Sequence, residues 1–162
     1  SYTGRLWREY MTINLLDYLS INRVLFTSAS TKEEVIDELI KISRDDGKVE
    51  DVIRFKQALL KRESIMSTGI GYGVAIPHVK LTQIKEFFIT IGIHKRGVNW
   101  ESLDSKPVYL IFLIAGPEKE QEKYLRILAQ LTMVIKNPEK RQQLTEISTK
   151  YEVYELFIDT LK

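Results

Sequence analysis

The chain has no cysteine and only two histidines, His78 and His94. The first absence excludes disulfides and thiolate chemistry and is in keeping with a reducing cytoplasm. The second excludes a multi-histidine metal site, and no His-x-Glu or HExxH spacing supports a mixed histidine–carboxylate one, so no metal is expected. No apolar run approaches the roughly 20 residues needed to span a bilayer. The first residues lack the charged, apolar and small-residue order of a signal peptide. A cytoplasmic protein with no membrane insertion is the expectation. An excess of one charge is missing too: 24 Lys and Arg stand against 22 Asp and Glu, a net charge of +2. That balance does not mark a nucleic-acid binder. There is no internal repeat and no low-complexity segment.

What is present suits one α/β domain. A length of 162 residues with 44% apolar and 28% charged residues allows one sizeable core. Residues 1–10 (SYTGRLWREY) precede Met11 and read as an upstream extension, linker or cloning remnant, with a docking arm built on Leu6, Trp7 and Tyr10 as the alternative. The domain is then 11–162. Over 13–26 a short helix or turn leads into an extended piece. Thr31 is a good N-cap for a helix whose Val35, Ile36, Leu39, Ile40 and Ser43 share one face and which Gly47 closes. A second helix is expected over 49–62, its apolar side made by Val52, Ile53, Phe55, Leu59 and Leu60. Strands follow over 87–93 and 108–115, the second so continuously apolar that both of its faces should be buried. Helices are expected over 118–135, with Tyr124, Leu125, Leu128, Leu131, Thr132 and Ile135 buried, then over 139–146, and from 151 to the end. The sum is a single layered domain, a small mixed β-sheet of three or four strands with helices on both faces.

The chain is organised around Ser67-Thr68-Gly69-Ile70-Gly71-Tyr72-Gly73-Val74-Ala75-Ile76-Pro77-His78. Three alternating glycines leave one face of an extended chain bare for close approach. Val74-Ala75-Ile76 reads as a buried strand, Pro77 ends or re-aims it, and His78 is then presented at the rim of the sheet. The stretch is no Walker A loop, for want of GxxxxGK[ST], and no dinucleotide fingerprint, because GxGxxG is absent and Pro77 sits where the phosphate-binding helix would begin.

Taken alone, His78 could be a structural histidine. It could equally be a nucleophile, since a neutral imidazole nitrogen can attack phosphorus when an acceptor fixes the other nitrogen. Such a site needs donors for phosphoryl oxygens, and Arg62, Ser67, Thr68 and the glycine-rich backbone lie just upstream. Arg62 by itself could be a solvated cation at a helix C-terminus. His94 reads as an exposed residue at a strand end.

The run Arg62-Glu63, Ser67-Thr68-Gly69-Ile70-Gly71-x-Gly73-x-Ala75-Ile76-Pro77-His78-x-Lys80 resembles the fructose/mannitol-type IIA domain of the bacterial phosphoenolpyruvate:sugar phosphotransferase system, nearest its nitrogen-regulatory branch. The resemblance covers roughly 11–162. It implies a phosphotransferase in which His78 accepts a phosphoryl group from phospho-HPr, or a nitrogen-branch homologue of HPr, with Arg62 supporting that group. No metal or nucleotide cofactor is implied. A IIB domain or a regulatory protein would be the next partner. Two departures stand out. The family's second histidine, in the helix after Gly116-Pro117, is replaced here by Tyr124, or failing that Arg126; the Tyr124 hydroxyl could still donate to a phosphoryl oxygen. Val79 stands where the family often has glycine, and would narrow a partner's approach. Stand-alone length, lack of membrane segments and the Ser-Thr-Gly-Ile-Gly form favour a regulatory phosphocarrier. The alternatives are a sugar-transport IIA component that passes phosphate to IIB, and a binding module that keeps the fold without turnover.

Overall fold

The structure is a computed structural model and describes Gly4 and residues 13–161. The expected docking arm and the Met11 boundary lie outside the described residues. Two short 3-10 turns, Leu15–Tyr18 and Ile21–Arg23, lead into β1 (Val24–Thr27). Then come α1 (Lys32–Asp45) and α2 (Val52–Ile65), three short strands β2 (Gly69–Gly71), β3 (Val74–Ala75) and β4 (His78–Lys80), and the long pair β5 (Phe88–Val98) and β6 (Val108–Gly116). The chain finishes on α3 (Gln121–Ile135), α4 (Pro138–Glu146) and α5 (Lys150–Leu161).

The six strands form one mixed sheet in the order β1-β5-β6-β3-β2, with β4 also on β6. β5 and β6 are antiparallel, whereas β1 on β5 and both β3 and β4 on β6 are parallel. Alternation along the strands sends side chains to two separate cores. Ile89, Ile91, Ile93, Leu110, Phe112 and Ile114 meet α3, α4 and α5. Ile111, Leu113, Ala115 and Val79 meet α1 and α2. The layered α/β architecture of the sequence reading is therefore present, with more strands than the three or four expected. The surplus comes from 69–80, where one chain reversal after β2 and a break at Pro77 cut one apparent strand into three.

Local signals place the helices. Thr31 accepts from the Glu34 N–H (3.2 Å) and starts α1. Asp51 accepts from the Arg54 N–H (3.1 Å), so α2 begins three residues later than expected and runs on to Ile65, leaving Ile53 exposed. On α3 the buried set is Tyr124, Ile127, Leu131, Val134 and Ile135. The expected Leu125 and Thr132 face solvent instead, because the 3–4–3 spacing from Tyr124 runs through Ile127 and Val134. His94 also departs from expectation. β5 continues to Val98, so His94 lies inside the strand opposite Thr27, is only 4% exposed and holds the Ala29 carbonyl through Nε2 at 2.9 Å.

Gly116 ends β6 under the ring of Phe87, which is buried and stacks on Tyr124 (6.4 Å between centroids). A Cβ at Gly116 would overlap that ring, with the Phe87 Cγ 2.6 Å away. Gly116→Ala is expected to cost about 1–3 kcal/mol through overpacking. The check is urea unfolding, which should show a lower midpoint at unchanged slope.

Candidate functional site

The glycine stretch is not a bare-faced strand. Gly71, Tyr72 and Gly73 all have positive φ (101°, 59° and 75°), so the chain reverses between β2 and β3 in a tight hairpin centred on Tyr72-Gly73. The close approaches the glycines allow are internal. A Cβ at Gly69 would collide with Ser102, and one at Gly73 would lie 3.1 Å from the Tyr109 ring. After the hairpin, β3 and β4 run one after the other along the same side of β6. Pro77, which has no N–H to lend the ladder, fills the gap between them, while its carbonyl accepts from the Ile114 N–H (3.0 Å). β4 pairs with β6 alone, which leaves His78 half-buried on an open edge.

His78 and Lys80 share one face of β4, and the buried Val79 points the other way into the α1–α2 core. Val79 therefore does not narrow the approach to His78, contrary to expectation. Nδ1 of His78 lies 3.0 Å from the Ile76 carbonyl, and Arg62 Nε donates to His78 Nε2 at 3.2 Å. A carbonyl can only accept, so Nδ1 carries the proton and Nε2 keeps its lone pair. Arg62 comes from the last turn of α2, and its Nη1 donates to the Met66 carbonyl (2.7 Å) at that helix end. Tyr124 rises from α3 beside the imidazole, with 5.7 Å between ring centroids and a 39° tilt. The Lys80 Nζ sits 5.1 Å over the Tyr124 ring and donates to Gln121 Oε1.

Burial lowers the pKa of His78 below its usual 6.5; the charges of Arg62 and Lys80 push the same way, against the Ile76 hydrogen bond and Glu63. Burial raises that of Tyr124, which stays a neutral phenol at neutral pH. The result is a neutral imidazole with a preset tautomer, an outward lone pair and a guanidinium touching it. Among the described residues, no cluster of three or more His, Asp or Glu is placed to hold a metal.

Of the five residues expected to form the site, His78, Arg62 and Tyr124 meet. Ser67 and Thr68 do not join them. The Thr68 hydroxyl is buried, donates to Glu63 Oε1 and accepts from Trp100 Nε1 (3.2 Å). Ser67 Oγ donates to the Trp100 carbonyl (2.7 Å) and accepts from the Gly69 N–H (3.1 Å). Both hydroxyls are engaged in holding the loop. Lys80 and Glu63 were quoted in the motif but given no role. The signal for Lys80 was the i, i+2 spacing from His78 on a strand, which sets both on one face.

A sequence family described as the phosphoenolpyruvate-dependent sugar phosphotransferase system, EIIA 2, matches residues 17–160. The chain belongs to this family. The fructose-specific EIIABC component of Bacillus subtilis is 39% identical over 125 residues, 77% of this chain, and this chain spans about a fifth (20%) of that relative's length. The fructose-specific EIIA component of Haloferax volcanii is 29% identical over 154 residues, covering 95% of this chain and 97% of the relative. Among solved structures, the nitrogen regulatory protein IIA-Ntr of Neisseria meningitidis superposes with a TM-score of 0.81 at 26% identity, covering 88% of this chain and 98% of that one. The chain is thus a phosphotransferase-system IIA domain, a phosphotransferase that takes up and hands on a phosphoryl group on histidine, with both sugar-specific and nitrogen-regulatory homologues.

Two outcomes follow from the geometry. In an NMR titration the His78 ring protons should move with a midpoint below 6.5, and Arg62→Met should raise that midpoint by removing both a nearby positive charge and a hydrogen bond to the neutral form. Thr68→Val leaves Glu63 and the Trp100 N–H each short of a partner and should cost roughly 1–3 kcal/mol in urea unfolding. The folded variant should also label with phosphate more slowly than the unaltered protein, because a loosened Glu63 loosens the helix end from which Arg62 reaches His78.

Proposed function

We propose that His78 Nε2 is the phosphoryl acceptor of this IIA domain. On this reading the donor is phospho-HPr, or its nitrogen-branch homologue, in the cytoplasm, and the role is regulatory. The observation that carries it is the preset imidazole, its Nδ1–H held by Ile76 and its Nε2 lone pair beside Arg62. Nε2 attacks phosphorus in line, the donor's N–P bond breaks, and the electron pair stays with the donor imidazole. The proton on Nδ1 never has to move. Arg62 leaves the lone pair as the phosphoryl group arrives and turns its N–H groups to the phosphoryl oxygens. The donor bond is already activated, so the protein's work is positioning and charge neutralisation. Ser67 and Thr68 act behind this by fixing the loop that carries β2.

The regulatory role is supported by the close superposition on IIA-Ntr. A second reading, transport IIA passing phosphate to a IIB domain, is favoured by the fructose-specific names of the two sequence relatives, one of which joins A, B and C components. The non-catalytic reading finds no support in a site whose imidazole and guanidinium are already paired.

Incubation with phosphoenolpyruvate, enzyme I and HPr, followed by mass spectrometry, should give one acid-labile phosphoryl adduct on the unaltered protein and none on His78→Ala. An adduct persisting in that variant overturns the assignment. Discharge of the labelled protein onto a fructose IIB domain would favour transport, and retention of the label would favour regulation.

A further inference from the structure

Lys80 has no part in the reading given so far, yet it stands beside the nucleophile. It is two residues from His78 on the same face of an edge strand. The Tyr124 ring bridges them, 5.7 Å from the imidazole centroid and 5.1 Å from Nζ. The side-chain hydrogen bond that holds Nζ goes to the neutral amide oxygen of Gln121, and among the described residues no carboxylate forms an ion pair with it. Lys32, by contrast, is paired with Glu63 and Lys56 with both Glu33 and Asp37, while Lys95 also meets a neutral oxygen, the Ile147 carbonyl, far from the imidazole in sequence. The Lys80 charge is therefore oriented without being neutralised.

Arg62 and Lys80 also reach the imidazole from different elements. Arg62 comes from α2 and Lys80 from β4 itself, where it is parked over a residue of α3. A phosphoryl group on Nε2 brings about two negative charges and three acceptor oxygens to a half-buried position. One guanidinium offers two parallel donors, which leaves one oxygen and much of the charge unmet.

We propose that Lys80 is the second phosphoryl-binding cation of this site, held ready on the face of Tyr124 and swung to a phosphoryl oxygen during transfer. This rests on His78 being the acceptor. Four rotatable bonds let Nζ move from the ring to the phosphoryl group, and an ammonium binds phosphate as a point charge without needing a fixed plane. The ring attracts the ammonium only weakly at a partly exposed place, so leaving it costs little. Tyr124 is then a platform for the cation as well as a wall of the site. The transfer remains balanced. The N–P bond of the donor breaks, the Nε2–P bond forms, and Lys80 keeps its protons throughout.

The test compares unaltered protein, Lys80→Met and Lys80→Arg with two donors, phospho-HPr and phosphoramidate. Phosphoramidate has no docking surface and releases ammonia as Nε2 takes the phosphoryl group. Urea midpoints of all three proteins should agree, because Lys80 lies at the surface edge. With both donors, Lys80→Met should label His78 about tenfold more slowly or worse at saturating donor, and Lys80→Arg should recover most of the rate. Equal rates for Lys80→Met with phosphoramidate overturn the proposal. So does a loss confined to the KM for phospho-HPr, which would make Lys80 a docking contact. If the unaltered protein labels with neither donor at His78, the acceptor assignment itself has failed. That outcome is distinct from slow labelling of the variant alone.

Discussion

The site depends on one buried carboxylate. Glu63 follows Arg62 in the last turn of α2, is only 9% exposed, and so must be satisfied from within the protein. Lys32 of α1 supplies the charge (2.6 Å), and Thr68 supplies its backbone N–H (3.1 Å) and its hydroxyl. Lys32 and Thr68 in turn grip Trp100, the first through its ammonium over the indole and the second by accepting the indole N–H. Three segments far apart in sequence are thereby fastened to the end of α2. Because Glu63 cannot rotate away, the register of that last turn is fixed, and Arg62 is aimed at His78 by its neighbour. Opening this cluster would strand a charge in the interior, which is a stronger constraint than any one of its hydrogen bonds.

His78 itself is set by the sheet. The β3–β4 line follows β6, and Pro77 makes the break in the ladder between them. The interruption frees the Ile76 carbonyl, two residues back, to take the Nδ1–H of His78. A local irregularity at a strand junction thus becomes the device that selects the tautomer. Edge position does the rest, since a central strand would have covered the imidazole on both sides.

Taken alone, His78 and Arg62 were each open to a plainer reading, a structural histidine and a solvated cation at a helix end; the resemblance of the whole run from Arg62 to Lys80 singled them out, and the structure brings the two side chains together. The layered fold was legible from the apolar run of β6 and the periodicity of α1 and α3. What was hidden depended on φ angles and long-range contacts. Alternating glycines signal permissive backbone without saying whether the chain extends or turns, and at Tyr72-Gly73 it turns. Thr68 looked like a phosphoryl donor because Thr is the right type, but its partners Glu63 and Trp100 are fixed only by tertiary packing. His94 looked exposed because β5 was read as ending at Ile93; five more strand residues and the segment after β1, whose Ala29 carbonyl meets the ring, bury it.

The electrostatics of the edge show why a neutral imidazole and nearby cations belong together. Partial burial alone would make a charged His78 costly, and two cations make it costlier, so the imidazole is kept with its lone pair free. The same burial would make a bound phosphoryl dianion costly if no positive charge were near. On the proposed reading, cations that disfavour the protonated imidazole favour the phosphorylated one, and a single arrangement serves the empty and loaded states. The resting Arg62–Nε2 contact is a weak hydrogen bond at 3.2 Å to a neutral acceptor, easily given up for a charged one. The site is stable before transfer because its cations hold neutral partners, a nitrogen lone pair and a phenol ring. It is receptive because both of those partners are poorer than phosphate.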